Sequence, residues 1–358
     1  MEKETKKKVT IKPKKETKKK VTIKPKKETK KKVTIKSKKE IKKKIVKKPI
    51  VEIKNLVKNY KKVTALDDFN LEIKEGEILG LLGPNGSGKT TCINCLLSLI
   101  TFDKGMIKIF DKEMSPEAYD IKSKIGVIFQ DVAVFNELTV LENIDYFCGL
   151  YISDHKLRKQ YVEEAVKFVG LEEFLKFRPK QLSGGLLRRL NIACGIAHKP
   201  SLIFFDEPTV GVDPQSRNKI LEGIKELNKK GATILYTTHY MEEVEQLCDR
   251  IVIIDKGEKI ANGSKQELKE KIKIGEKVTI EVLEINPEQY KKISKIKNIL
   301  DIEQIGNTIN IVFKNGNHNL DTLIDLLKAE DIKYERFFSE RPTLNDVFLE
   351  MTGKELRD

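Results

Sequence analysis

One segment of the chain combines closely spaced glycines with a lysine and a threonine: Gly83-Pro84-Asn85-Gly86-Ser87-Gly88-Lys89-Thr90. Glycines let the backbone come close to an anion, and backbone N–H groups at a helix N-terminus bind phosphate. The spacing G-x-x-x-x-G-K-T is typical of loops that hold a polyphosphate. We therefore predict that Lys89 contacts the β- and γ-phosphates of a nucleotide and that Thr90 ligates Mg²⁺.

Two carboxylates, Asp206 and Glu207, follow an apolar run at 202–205 and precede the rigid Pro208. If the run is a parallel strand, both acids lie at the carboxyl edge of the sheet, where such sheets bind ligands. Asp206 is suited to the metal shell. Glu207 is suited to act as a general base on a water molecule, so the pair predicts hydrolysis rather than binding alone.

Two more polar residues end apolar runs in the same way. His239 follows the run 233–238, and Gln130 follows the run 125–129. Because parallel strands end at the same edge of a sheet, we expect His239 close to the γ-phosphate and Gln130 placed as a ligand of the metal or of a water.

A second glycine turn, Leu182-Ser183-Gly184-Gly185, ends 21 residues before Asp206. A hydroxyl and bare backbone amides at the start of a helix form an anion site. The chain is therefore predicted to present a second surface that faces a phosphate.

These motifs, in this order, resemble the ATP-binding subunit of ABC transporters over residues 51–268. The resemblance implies that Tyr60 stacks on adenine, that Gln130 is the Q-loop glutamine, that Asp213 is the D-loop aspartate and that His239 is the switch histidine. Its catalytic set is Lys89, Gln130, Glu207 and His239, with Mg²⁺ on Thr90, Gln130 and Asp206. The other ATP-binding residues that it implies are Gly83, Pro84, Asn85, Gly86, Ser87, Gly88 and Thr91.

The resemblance also implies partners. Leu182, Ser183, Gly184 and Gly185 would complete the ATP site of a second subunit in a homodimer, so that ATP-driven dimerisation and hydrolysis move a separate membrane permease. Segments 138–143, 188–191, 240–245 and 342–353 are similar to the ATPases of drug, lipid or polysaccharide exporters. The expected location is cytoplasmic, at the inner face of the cell membrane. The alternative is a soluble ABC ATPase that acts on ribosomes, nucleic acid or protein assembly.

The elements that must position these residues are those of an α/β fold. From residue 49, short apolar strands alternate with amphipathic helices. The resemblance implies a P-loop NTPase domain of the ABC type with a helical subdomain, at 49–270. Residues 271–358 change to a βαββαβ pattern, which predicts a small α+β domain of ferredoxin-like topology with an accessory role.

The charge of the chain is concentrated at its N-terminus. Residues 1–50 contain 24 Lys and 5 Glu, whereas the remainder has 45 basic and 49 acidic residues. A repeat of twelve residues fills 3–14, 15–26 and 27–38 with lysine and few apolar side chains. We predict that residues 1–48 are disordered. This tail could bind an anionic membrane surface or nucleic acid, or could simply be solvated.

Five scattered cysteines predict buried, reduced thiols and no cysteine metal site. The chain has no apolar run of about 18 residues, so we expect no membrane span.

Overall fold

The computed structural model describes residues 48–316 and 318–353, so the predicted disordered tail, except for Lys48, lies outside the described residues. The first elements in chain order are β1 (Pro49–Tyr60), β2 (Val63–Lys74), β3 (Ile78–Leu82), α1 (Lys89–Leu96), β4 (Lys104–Ile109), β5 (Lys112–Glu113), α2 (Tyr119–Lys122) and β6 (Ile125–Ile128).

The middle of the chain is mainly helical, with four strands between the helices. Its elements are α3 (Val140–Gly149), α4 (His155–Val169), α5 (Gly184–Ile196), β7 (Leu202–Asp206), α6 (Pro214–Lys229), β8 (Thr233–Thr238), α7 (Met241–Leu247), β9 (Arg250–Asp255), β10 (Glu258–Gly263) and α8 (Lys265–Glu270).

A six-stranded sheet forms the centre, in the order β10-β9-β3-β8-β7-β6. Strands β9, β3, β8, β7 and β6 run parallel, and β10 is antiparallel to β9. Every residue of β3, β7 and β8 is buried, because both faces of these strands are covered. This explains why these strands read as continuous apolar runs, and the predicted α/β fold is confirmed.

The two faces of this sheet bury different partners. On one face, Leu79, Leu81 and Phe204 pack with α1 and with the antiparallel sheet β2-β1-β4-β5. On the other face, Ile78 and Phe205 pack with residues of the later helices. The glycine loop at 83–88 follows β3, a central strand that is covered by packed side chains on both faces.

The helices α3, α4 and α5 pack on one another as a helical subdomain. Each begins where a side chain caps the first free backbone N–H groups: Thr139 caps α3, Asp154 caps α4 and Ser183 caps α5. The glycine turn at 182–185 is therefore fixed at a helix start by its own serine.

The C-terminal region has the predicted βαββαβ order. Its elements are β11 (Ile274–Val282), α9 (Pro287–Ile293), β12 (Ile299–Ile305), β13 (Thr308–Lys314), α10 (Asn319–Ala329), β14 (Tyr334–Glu340) and a final α11 (Leu344–Thr352). The sheet is antiparallel in the order β12-β13-β11-β14, which is the ferredoxin-like arrangement. Ile293, Leu323 and Leu327 of the two helices cover the apolar face of this sheet.

The last helix, α11, leaves the ferredoxin-like unit and packs against α7 and α8. Leu344, Val347 and Phe348 are buried in the same core as the helical face of the central sheet. The backbone N–H of Leu344 donates to Glu245 Oε1 at 3.2 Å. Helix α11 is thus joined to α7, the helix that begins two residues after His239. The division of the chain at residue 270 stays a prediction.

The five cysteines are all buried and free, as predicted. Burial raises the pKa of Cys95 and of Cys148 to about 11, so neither thiol is reactive near neutral pH. Within residues 48–316 and 318–353, no helix is both long and apolar enough to cross a membrane.

Candidate functional site

Four neighbouring parallel strands deliver the predicted site residues to one edge of the central sheet. The glycine loop follows β3, His239 follows β8, Glu207 follows β7, and Gln130 lies just beyond β6. The carboxyl edge of a parallel sheet is the usual ligand site of this architecture. The order β3-β8-β7-β6 brings together residues that are far apart in sequence.

The loop from Gly83 to Gly88 is closely packed at its two ends, where a side chain would not fit on either glycine. A Cβ on Gly83 would lie 2.2 Å from the carbonyl oxygen of Ile254. Gly88 has φ 111° and no room beside the carbonyl of Ala65 at 2.5 Å. Ser87 is 2% exposed, and its hydroxyl has no hydrogen-bond partner among residues 48–316 and 318–353. Because an unpaired buried hydroxyl is unfavourable, it fits a polar ligand at the loop.

Lys89, Glu207 and His239 are connected directly. Lys89 Nζ is 2.9 Å from Glu207 Oε1 and also donates to the Gly83 carbonyl at 2.9 Å. The other carboxylate oxygen of Glu207 is 3.0 Å from His239 Nδ1. Lys89 and Glu207 are each 4% exposed. The site thus has a buried ammonium, a buried carboxylate and an imidazole within one hydrogen-bonded group.

The backbone of Glu207 is itself unusual. Its φ is 47°, in the left-handed region that residues other than glycine rarely adopt. Its N–H is held by the carbonyl of Thr237 at 3.2 Å and by the Thr237 hydroxyl at 3.1 Å. Strained backbone of this kind persists only where surrounding contacts impose it, and it is common at functional sites.

Asp206 lies deeper, at 1% exposure, and accepts from Thr237 Oγ1 at 2.6 Å. Burial raises its pKa, while hydrogen bonds from Thr237 and Thr90 oppose the rise. A buried carboxylate is stabilised in its charged form when a cation lies beside it. Thr237 was not predicted from the sequence, although its hydroxyl bonds both the Asp206 carboxylate and the Glu207 N–H. Its position near the end of a buried strand was the only sequence feature that could have indicated this role.

Gln130 has an exposed side chain, and the structure fixes its backbone instead. Arg188 of α5 donates to the Gln130 carbonyl at 2.6 Å and to the Phe129 carbonyl at 3.0 Å. Arg188 is only 6% exposed. The arginine therefore ties the Gln130 segment to the helix that begins at the second glycine turn, a contact that sequence reasoning missed.

The second glycine turn lies beside α6. Gly185 is buried, and a Cβ there would come within 2.4 Å of Ser216 Oγ. Asp213 caps α6 by accepting from the Ser216 N–H at 2.9 Å, and this bond lowers the pKa of Asp213. Ser183 and Gly184 are exposed.

The turn at 182–185 is separate from the glycine loop within one chain. In the ranges that the structure describes, no hydrogen bond or ion pair joins the two. Tyr60, at the end of β1, is 45% exposed and has the Lys58 ammonium 5.0 Å from its ring centroid. Tyr60, Ser183 and Asp213 are thus accessible positions outside the Lys89–Glu207–His239 group.

Two protein families match parts of this chain. Residues 66–210 match the ABC transporter family, and residues 263–352 match the C-terminal domain of DrrA1-3-like ATP-binding proteins. The linearmycin resistance ATP-binding protein LnrL of Bacillus subtilis (strain 168) is 38% identical over 306 residues, which cover 85% of this chain and 98% of LnrL. The chain belongs to the ABC transporter family.

Two further similarities extend this assignment. The daunorubicin resistance ATP-binding protein DrrA3 of Streptomyces coeruleorubidus is 31% identical over 300 residues, covering 84% of this chain and 95% of DrrA3. A solved dimeric structure of the ATP-binding cassette MJ0796, in a post-hydrolysis state bound to ADP and Pi, has a TM-score of 0.56 and 31% identity; the match covers 60% of this chain and 98% of that one. This chain is an ATP-binding and ATP-hydrolysing subunit of an ABC transporter.

Proposed function

We propose that this ABC ATPase hydrolyses Mg²⁺-ATP at the edge formed by β3, β8, β7 and β6, as one half of a homodimer that drives a separate exporter permease. The observation that carries the proposal is the direct connection of Lys89, Glu207 and His239 at that edge. Each of the three follows a different strand, so the fold has to be complete before the group exists.

The glycine loop is proposed to bind the phosphates. Its backbone N–H groups, the N-terminus of α1 and the buried Lys89 ammonium all favour a polyphosphate. The buried, unpartnered hydroxyl of Ser87 supports a polar ligand at this loop. Tyr60 is proposed to stack on the adenine, for which an exposed ring at a strand end is suitable.

The candidate ligands at this edge suit Mg²⁺ better than a metal ion whose ligands all come from the protein. In the described part of the chain, no group of three or more His, Cys, Asp and Glu side chains could hold a metal. Mg²⁺ needs only one or two protein carboxylates because water and substrate phosphates complete its shell. Asp206, Thr90 and Gln130 offer the oxygen ligands that it prefers, and a cation beside the buried Asp206 would stabilise the charged form of this carboxyl group. Bound there, Mg²⁺ would neutralise charge on the phosphates.

Glu207 is proposed as the general base. Its carboxylate is held by Lys89 on one oxygen and by His239 on the other, so its orientation is fixed. A fixed carboxylate can accept a proton from a water that attacks the γ-phosphate. His239 is then placed to orient this carboxylate and to contact the γ-phosphate.

A second subunit is proposed to complete each site. Ser183 and Gly184 are exposed at the start of α5, and within the described ranges no hydrogen bond or ion pair joins the turn to the glycine loop of the same chain. An exposed helix N-terminus with a serine suits a phosphate that another chain supplies. Asp213 lies next to this turn, so both belong to the same proposed dimer face.

The direction of transport is proposed from the relatives. LnrL and DrrA3 are named for resistance to linearmycin and to daunorubicin, and their similarity extends over the C-terminal region. We therefore propose export, with the ATPase at the cytoplasmic face of the membrane beside its permease. The Lys-rich tail could add contact with anionic lipid or nucleic acid. The matches favour transport over a soluble ABC ATPase that acts on ribosomes or other assemblies.

The test is Glu207→Gln, which keeps the shape of the side chain and removes the base. We expect phosphate release from Mg²⁺-ATP to fall at least about hundredfold, while ATP binding persists and ATP promotes a stable dimer. Gel filtration with and without ATP and a phosphate-release assay measure both effects. Turnover equal to that of the parent would refute the assignment of the base.

A further inference from the structure

A further buried carboxylate lies close to the candidate site, on the helix that follows β8. Glu243 of α7 is 2% exposed. It accepts from the hydroxyls of Thr209 at 2.6 Å, Tyr236 at 2.8 Å and Thr238 at 2.8 Å. Burying a carboxylate is unfavourable unless hydrogen bonds compensate for the lost water, and here three donors do so.

Packing alone does not explain an acid at this position. Met241, Val244 and Leu247 of the same helix are buried in the apolar core. Glu243 occupies the same inward face, where an apolar side chain would be the ordinary choice. The carboxylate is therefore a connection between polar groups rather than a core filler.

The partners of Glu243 come from three segments that carry candidate site residues. Thr209 lies two residues after Glu207, in the turn that follows β7. Thr238 directly precedes His239. The third segment is α6, from which Arg217 Nε lies 3.6 Å from Glu243 Oε1. One carboxylate thus joins the loop after Glu207, the strand before His239 and the helix that Asp213 caps.

The connection reaches the His239 ring through Tyr240. The Tyr240 N–H donates to Thr238 Oγ1 at 3.0 Å, while that hydroxyl donates to Glu243. The Arg217 guanidinium lies 4.6 Å from the Tyr240 ring centroid, and the Tyr240 and His239 rings lie 4.1 Å apart. Both groups that hold Tyr240 therefore contact Glu243.

We propose that Glu243 is a positioning residue for ATP hydrolysis, which holds Glu207 and His239 in the geometry that places their side chains 3.0 Å apart. It acts through Thr209, Thr238 and Arg217 and touches no substrate. The inference rests on the proposed roles of Glu207 and His239. We expect its effect on the chemical step, because the described Glu243 side-chain bonds go to Thr209, Tyr236, Thr238 and Arg217 and not to residues of the glycine loop.

The experiment compares Glu243→Gln with Glu242→Gln in the full chain. The first replacement keeps the volume but loses the charge and can no longer accept all three hydroxyl bonds. The second changes the exposed neighbour on the same helix. A misplacement of catalytic groups by about 1 Å costs about hundredfold in rate, so we expect kcat of Glu243→Gln to fall about tenfold to hundredfold. The Kd for Mg²⁺-ATP should stay within about twofold, and Glu242→Gln should match the parent.

Two additional variants separate positioning from a purely structural role. Tyr236→Phe removes one hydrogen bond and keeps the ring, so a smaller loss of kcat at unchanged Kd is expected even if Glu243→Gln does not fold. The double variant Glu207→Gln/Glu243→Gln should dimerise on ATP at the same concentration as Glu207→Gln. A kcat of Glu243→Gln equal to that of the parent would overturn the inference. If Glu243→Gln does not fold, a parental kcat of Tyr236→Phe would do the same. A loss of ATP binding as large as the loss of kcat would also overturn it. Parental turnover of Glu207→Gln would instead refute the proposed function.

Discussion

Phe348 of the C-terminal helix α11 is 1% exposed, and replacing it with alanine tests whether this helix is part of the ATPase core. Its ring belongs to the buried cluster that includes Val244 and Leu247 of α7 and Leu268 of α8. Fully burying such a ring contributes about 1.5–3 kcal/mol. The cavity left by its removal adds to this loss, so Phe348→Ala should lower the free energy of unfolding by about 3–5 kcal/mol.

The assay is urea unfolding followed by circular dichroism, because the chain contains no tryptophan. Leu349→Ala is the matched control, since this neighbour on α11 is 37% exposed. It should cost less than about 1 kcal/mol. The unfolding transition that shifts in Phe348→Ala should be the one that added ATP stabilises, because α11 packs on α7, which begins two residues after His239. If Phe348→Ala cost no more than Leu349→Ala, or moved only a transition that ATP does not affect, the packing argument would be wrong.

Two other changes probe the dimer face and a buried histidine. Ser183→Arg places a long cation at an exposed helix start and removes the serine cap, which should cost about 1 kcal/mol of stability. It should leave ATP binding by the monomer intact but abolish ATP-induced dimerisation and turnover. Parental turnover would show that the turn does not contact a second subunit. Burial lowers the pKa of His198 to about 4, although its Nε2 contact with the Ile125 carbonyl at 3.1 Å opposes this. The unfolded chain therefore binds more protons between pH about 6.5 and about 4, and stability should fall as the pH falls through that window, by roughly 3 kcal/mol in total. His198→Gln should remove this part of the pH dependence, as measured by urea unfolding at pH 7 and pH 5. The assignment would be contradicted if the free energy of unfolding fell by the same amount between these pH values in the variant and the parent.

Much of the fold could be predicted because its signals are local. Three strands of the central sheet are buried on both faces, so they appear in the sequence as uninterrupted apolar runs between turns and helices. The order of the C-terminal elements was predicted in the same way, and strand β13 alternates buried and partly buried residues as a strand with one covered face should. The glycine loop was equally evident, because its backbone allows few residue types at Gly83 and Gly88.

The candidate site was predicted as a set of strand ends but not as a network. Lys89, Glu207 and His239 were each identified from their own segments, whereas Thr237, Arg188 and Glu243 were not. The missed residues bind partners from other segments: Arg188 reaches Gln130 across 58 positions, and Glu243 reaches Thr209 across 34. A residue with such a role has no local pattern beyond a polar side chain on an apolar face.

The sequence by itself determined the chemistry that the chain carries and the elements on which each group stands, because periodicity, capping and glycine conformations act over a few residues. The tertiary structure alone decided that β8 lies between β3 and β7, although it follows both in the chain. It also decided that α11 packs into the core on the helical face of the central sheet. Both arrangements are stabilised by the burial of apolar surface on the two faces of one sheet. The free energy of this burial depends on surfaces that come into contact only when the chain folds, so no local sequence pattern shows it.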